Sequence, residues 1–216
     1  MQTIALVGQK GGSGKTTLAA SLAVAASQAG ETVVALDLDP QGSLAAWGND
    51  RAEDMPPAVD SLTGDKLNQI SEILKKLEAK GFTVAILDCP GVASTAITNA
   101  MRCADLCLVP ARPTKIDLRA AIPTVQSIVS LKRNFAFVLN QCPTTARGSR
   151  ANEAASGLKM LGALADPPIT SRADYQDALA AGQGVTEYAP HGKAAGEAKA
   201  LWVWVSRTLK GLKQND

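Results

Sequence analysis

The sequence is poor in most residues that advertise chemistry. Aromatic side chains make up 4% of its 216 residues, and there is a single histidine, His191. That histidine precedes a glycine in a loop-like stretch. It has no second imidazole with which to bind a metal and no partner for a catalytic triad. The four cysteines, Cys89, Cys103, Cys107 and Cys142, form no Cys-x-x-Cys pair and none of the usual zinc spacings. A chain of this length needs no disulfide staples, so they read as reduced thiols in or near the core. No apolar run reaches the roughly 18 residues of a membrane span. The N-terminus has no basic region followed by a long apolar segment and a cleavage site, so the expected compartment is the cytoplasm. The net charge of +2 does not announce a nucleic-acid binder. Any such activity requires local clustering of lysine and arginine.

What is present is a regular alternation. Short apolar runs at 3–7 (TIALV), 32–37 (TVVALD), 82–88 (FTVAILD), 105–109 (DLCLV) and 134–140 (NFAFVLN) are apolar throughout. Strands covered on both faces read this way, whereas half-exposed strands alternate. Helical patterns lie between them at 15–29, 65–80, 93–103, 117–132 and 151–160. The alternation predicts an α/β fold: a doubly wound, mainly parallel sheet with helices on both faces and ligands at the carboxyl ends of the strands. The Pro/Gly clusters at 55–57, 142–149 and 166–168 read as loops within that layout. With no repeat and no long linker, residues 1–216 are expected to form one domain.

The first apolar run leads into QKGGSGKTT, residues 9–17. Gly11, Gly12 and Gly14 free the backbone to curl with its N–H groups inward, and a helix beginning near Lys15 adds the positive end of its dipole. Such a loop cradles phosphates. Lys15 would reach the β- and γ-phosphates and the Thr16 hydroxyl a Mg²⁺ ion. Strand, loop, Gly-Lys-Thr and helix fall in the order this chemistry needs, which sets the motif apart from an ordinary glycine-rich turn. Gln9 stands where the strict pattern has glycine, and Lys10 is an extra cation near the start of the loop, poorly placed for its own subunit's phosphates.

KGGSGKTT resembles the deviant Walker A motif of the ParA/MinD family of ATPases. The resemblance implies ATP and Mg²⁺ as cofactors, with contacts from Gly11, Gly12, Ser13, Gly14, Lys15, Thr16 and Thr17. It also implies a homodimer sandwiching the nucleotides, in which Lys10 crosses to the partner's ATP. ALDLDPQGS at 35–43 resembles the family's second box, which makes Asp39 the residue that positions the attacking water and Asp37 an outer contact to magnesium. AILDCPG at 85–91 resembles the Walker B strand. It places Asp88 as a magnesium ligand, although a strand-terminal Asp alone is a common cap, and Gly91 as an amide donor to the γ-phosphate. FAFVLNQCP at 135–143 resembles the strand ending near the adenine, which points to Asn140, or else to a turn before Pro143. The segment 167–188 is similar to the last loop and helix, with Pro168 and Ile169 near the base. The resemblance is vague over 44–80 and 141–165, and Gly8 stands where relatives often carry Asn.

The same resemblance implies a slow ATPase that positions or segregates a cargo on the nucleoid. A first strand starting at residue 3 leaves no room for an N-terminal DNA-reading domain. The ATP-bound dimer would bind DNA without sequence preference, and a ParB-like or other centromere or cargo adaptor would stimulate hydrolysis. An arginine supplied in trans raises the rate of comparable nucleotide switches by roughly 10³ to 10⁵. The candidate DNA contacts are Arg147, Arg150, Arg172, Lys199, Arg207 and Lys210, each also readable as an ordinary solvated cation.

Two alternatives differ in class. The tail from residue 197 places Ala198, Leu201, Trp202, Val205, Leu209 and Leu212 on one helical face, opposite Lys199, Arg207 and Lys210. This resembles a MinD-type membrane-surface helix, and equally a terminal helix covering the sheet. An iron–sulfur carrier of the nitrogenase iron-protein type shares the loop and would need cysteines at the dimer face, where this sequence offers only Cys103 and Cys107 as a close pair.

Overall fold

A computed structural model describes residues 1–53, 55–144 and 149–214, with backbone alone at 149 and 150. In chain order the elements are β1 (Gln2–Leu6), α1 (Lys15–Gln28), β2 (Val33–Asp37), α2 (Ser43–Asn49), β3 (Ala58–Ser61), a 3-10 turn (Gly64–Asn68), α3 (Ile70–Ala79) and β4 (Val84–Asp88). There follow α4 (Thr95–Cys103), β5 (Leu106–Ala111), α5 (Lys115–Ser130), β6 (Phe135–Leu139), α6 (Ser149–Leu161), β7 (Ala163–Leu164), α7 (Ala173–Ala180), α8 (Val185–Tyr188) and α9 (Lys193–Lys213).

The strands form one sheet in the order β3-β2-β4-β1-β5-β6-β7, parallel at every pairing. From β1 the chain moves outward to β2 and β3 and returns to β4, and only then crosses to β5 on the other side. The carboxyl end of β1 therefore opens at the point where the winding reverses, the usual place for a ligand in such sheets.

Every residue of β2, β4 and β5 is buried, which is why these runs are apolar without alternation. The two faces nonetheless lead to different cores. Ile4 and Leu6 pack with α1, α7 and α9, while Ala5 and Val7 pack with α3, α4, α5 and α6. Helix α1 is sandwiched between the sheet and α9, so Leu18 to Ala26 are buried without a break. Its alanines let α9 approach closely. The apolar side of α9 (Ala194, Ala198, Leu201, Trp202, Val205, Leu209) closes this core. Burial of each large side chain there stabilises the fold by roughly 1.5–3 kcal/mol.

Strands β3 and β7 were not expected from the sequence. Both are edge strands, short and half-solvated, so neither shows the continuous apolar run that marks the interior of the sheet. Helix α2 was also unforeseen, and it is anchored by only Leu44 and Trp47. The helix expected over 65–80 is split into the 3-10 turn and α3. All four cysteines are free, with Cys89, Cys107 and Cys142 buried and Cys103 partly so.

Candidate nucleotide-binding site

Residues 8–14 run from the end of β1 to Gly14, the N-cap of α1. Gly12 and Gly14 lie at φ 72° and 87°, where only glycine is at ease. At Gly14 a second constraint applies: a Cβ would sit 2.3 Å from Asn140 Nδ2. The loop is held from behind by side chains at the end of β6. Asn140 Nδ2 donates to the Ser13 carbonyl at 2.7 Å, and Gln141 Nε2 donates to the Gly12 carbonyl at 3.2 Å. Lys15 is 7% exposed, and its ammonium donates to the Lys10 carbonyl at 3.2 Å. On the other side, a Cβ on Gly91 would lie 3.6 Å from Lys15 Nζ and 3.4 Å from Gly11. Gly91 thus borders the space that the Lys15 ammonium reaches. The position of Gly8 has room for a side chain, with nothing within 4 Å of a built Cβ.

Parallel register sets Asp37 directly beside Asp88 at the carboxyl ends of β2 and β4. Asp88 Oδ2 accepts the Thr16 hydroxyl at 2.7 Å. Its Oδ1 is buried without a hydrogen-bond partner among the described residues. Burial pushes the Asp88 carboxyl up to about 7; the Thr16 bond and Lys15 oppose the shift, while Asp37 and Asp39 add to it. A divalent cation reverses that balance. One orphaned carboxylate oxygen beside one hydroxyl suits magnesium, a hard ion that takes few protein ligands and keeps waters and phosphate oxygens. No cluster of three or more His, Cys, Asp or Glu is found among the described residues, and such an ion needs none.

Asp37 has a structural task as well. Its two oxygens accept the amides of Asp39 and Ala45, each at 2.9 Å, and so fix the turn into α2. Asp39, half-buried, accepts the Gln41 amide at 3.0 Å. The turn carries Asp39 off the end of β2 towards the same end of the sheet.

Beyond Gly14 lies a cleft of about 110 Å³ lined by Thr17, Leu18, Asn140, Ile169, Arg172 and Tyr175 among others. Asn140 and Ile169, the two residues expected near a base, line it. Pro168 does not; it is exposed, one residue before. The Arg172 guanidinium is tied to Glu197 Oε1 through Nε at 3.1 Å and Nη2 at 2.8 Å. An arginine so engaged forms part of the wall of the cleft.

Among the other basic candidates, Arg147 and the Arg150 side chain lie outside the described residues. Lys199, Arg207 and Lys210 are exposed on the outer side of α9. Because the apolar side of the helix is buried in the core, its amphipathic pattern is accounted for by packing. No helix among the described residues is long and apolar enough to cross a membrane. Cys107 is buried within β5 and Cys103 is partly buried, so this pair does not present two thiols on a surface where two protomers could share a cluster.

Three residues that sequence reasoning missed sit at the rim. Lys10 Nζ pairs with Asp117 Oδ1 at 2.9 Å, and Arg112 Nε reaches the same oxygen at 3.2 Å. Thr114 caps α5, and its hydroxyl contacts the Asp117 carboxylate. Burial raises the Asp117 carboxyl, but hydrogen bonds from Thr114, Lys10 and Arg112 outweigh this and hold it below the ordinary carboxylate value. The Thr-x-x-Asp spacing at 114–117 is a capping signature, and it was the available signal.

A glycine-rich loop between a central strand and a helix, with Lys15, Thr16 and Asp88 converging at its mouth, defines a P-loop nucleotide-binding fold. Residues 4–165 match the CobQ/CobB/MinD/ParA nucleotide binding domain, and the chain belongs to that family. It is 29% identical over 202 residues to maintenance of carboxysome distribution protein A of Halothiobacillus neapolitanus, covering 90% of this chain and 91% of that one. It is 29% identical over 186 residues to protein ParA of Rhizobium radiobacter, covering 81% of each. The crystal structure of cobyrinic acid a,c-diamide synthase from Mycobacterium smegmatis, with bound ATP analog and magnesium, shares the fold at a TM-score of 0.77 and 18% identity, over 97% of this chain and 96% of that one.

Proposed function

We propose that the chain is a ParA-type positioning ATPase that acts as one unit over residues 1–216. It binds ATP with Mg²⁺, closes into a sandwich dimer, and binds DNA without sequence preference until an adaptor protein stimulates hydrolysis. The observation that carries the reading is the placement of two lysines on one loop. Lys15 is buried in the cradle and donates to a carbonyl of the loop, while the Lys10 ammonium is engaged at the rim by Asp117 with 31% of its side chain exposed, where a second protomer could meet it.

In this mechanism the loop amides and Lys15 hold the β- and γ-phosphates, and Thr16 and Asp88 would hold a magnesium ion, with Asp37 as a more distant contact to it. Magnesium held there would neutralise charge on the phosphate oxygens. Asp39 orients the attacking water, and Lys10 of each protomer stabilises negative charge on the nucleotide of the other. Positioning and electrostatics of this kind supply nearly all of the catalysis in phosphoryl transfer. The Gly91 amide reports whether a γ-phosphate is present. Asn140 and Ile169 hold the base.

The DNA surface is the outer side of α9, where Lys199, Arg207 and Lys210 project from a helix whose inner side is fixed in the core. A chain of net charge +2 thereby gains a local basic strip, which dimerisation doubles. Binding through such a strip weakens steeply with salt.

Size-exclusion chromatography with light scattering, in ATP and Mg²⁺, tests the core of the proposal. Asp39→Ala is expected to accumulate as a dimer and Lys10→Ala to remain monomeric. If Asp39→Ala binds ATP yet stays monomeric, the role of Asp39 is wrong. Equal DNA binding with ATP, with ADP and without nucleotide refutes the switch.

A further inference from the structure

The geometry points to a charge exchange at the rim: Asp117 stores the Lys10 ammonium in the nucleotide-free protomer, and Arg112 takes over as its counter-ion when Lys10 leaves for the partner's nucleotide. The inference rests on the proposed role of Lys10 in trans and names the residues that set when it is released.

The Asp117 side chain is 5% exposed, whereas Lys10 and Arg112 are 31% and 34% exposed. Thr114, the N-cap of α5, engages Oδ2, and both cations converge on Oδ1 at 2.9 and 3.2 Å. A buried carboxylate stripped of its partner is costly, and a lysine that were its only counter-ion would be hard to withdraw. Here the carboxylate has two. When Lys10 departs, a neutral Arg112–Asp117 pair remains, anchored by Thr114 and by the favourable end of the α5 dipole. Arg112 suits this place because its permanently charged guanidinium already reaches Oδ1 through Nε and need not relocate. It also borders the phosphate loop, with Nη2 3.8 Å from a Cβ built on Gly12. Before exchange the cluster carries one surplus positive charge, which is removed when Lys10 meets phosphate. Asp117 is thus a positioning residue for Lys10, and Arg112 sets how easily Lys10 is released.

Two measurements test this, one of them independent of dimerisation. In the nucleotide-free protein, Lys10→Gln and Arg112→Gln should each lower Tm by only about 2 °C, because the other cation remains. The double variant should lose on the order of 10 °C, since the buried carboxylate is then unpaired. Adding Asp117→Asn should restore most of that loss, a rescue that packing damage would not show. Additive losses, or no rescue, overturn the shared counter-ion. With Mg²⁺ and a non-hydrolysable imido analogue of ATP, Asp117→Asn should lower the analogue concentration for half-dimerisation by roughly fivefold, and Arg112→Gln should raise it by a similar factor. Shifts in the opposite directions overturn the exchange. A wild type that binds the analogue without dimerising refutes the dimer reading instead, while the Tm series still decides whether Asp117 is shared.

Discussion

The two ends of the nucleotide cleft are built on different plans. The phosphate end is local: residues 8–17 supply loop, cap and helix start in one stretch, with Asp88 added from the adjacent strand. Its groups are mainly backbone amides, and its conformation is dictated by glycines at positive φ. The end proposed to take the base is assembled from side chains far apart in sequence: Leu18, Asn140, Ile169, Arg172 and Tyr175, braced by Glu197 on α9. The first plan gives a fixed charge trap that many folds share. The second gives selectivity, and a mechanical link to the helix proposed to face DNA.

The largest expected effect lies at the phosphate end. Lys15→Ala should weaken ATP binding roughly 100-fold, because hydrogen bonds to charged groups contribute about 1.5–3 kcal/mol each. Isothermal calorimetry showing less than a tenfold loss would mean that the backbone amides alone hold the phosphates.

Asp88→Asn should come next, with opposite consequences for binding and stability. The folded carboxyl keeps its proton to about 7, against an ordinary 3.8. Its contribution to stability is therefore complete below the ordinary value and is lost as pH rises through about 7. At alkaline pH the nucleotide-free Asp88→Asn protein should melt higher than wild type, by about 2–4 °C for each kcal/mol recovered, while Mg²⁺-dependent ATP binding is lost. In wild type, Mg²⁺–ATP affinity should strengthen as pH rises through 7, the carboxylate being the form that holds the ion. A flat pH profile would detach Asp88 from the metal.

The contrast between the two ends also explains what could be read in advance. The central strands, the loop and the three aspartates were legible because each is a short contiguous pattern tied to one backbone geometry. Edge strands β3 and β7 were not, since a strand with one neighbour and half its side chains in water has no distinctive run of residues. The pairing of Arg172 was not legible, because a lone arginine in a polar segment looks the same whether it meets solvent or a glutamate 25 positions away. Arg112 and Asp117 were overlooked for a related reason. Their importance comes from a lysine more than a hundred positions earlier, and sequence spacing carries no trace of that contact.

At the base end the effects should be smaller and selective. Asn140 has two tasks, since its Nδ2 holds the Ser13 carbonyl while the side chain lines the cleft. Asn140→Ala should cost about tenfold in ATP affinity and narrow the preference for ATP over GTP. An unchanged ATP to GTP ratio in competition titrations would leave it with the structural task alone.

The smallest effect is the most telling about coupling. Glu197 Oε1 holds Arg172 at 2.8 and 3.1 Å, and its Oε2 accepts the Thr170 amide at 3.1 Å. One α9 carboxylate therefore fixes both the loop after Ile169 and the entry to α7. Glu197→Gln keeps an acceptor and the shape but removes the charge, and for a partly exposed pair that is worth about 1 kcal/mol at most. ATP affinity should fall by about two- to threefold, whereas affinity for inorganic triphosphate with Mg²⁺, which reaches only the loop, should not change. Lys15→Ala, by contrast, should weaken both ligands alike. If Glu197→Gln weakens triphosphate as much as ATP, the two ends are one cooperative unit, and α9 is linked to the phosphates directly and not through the base.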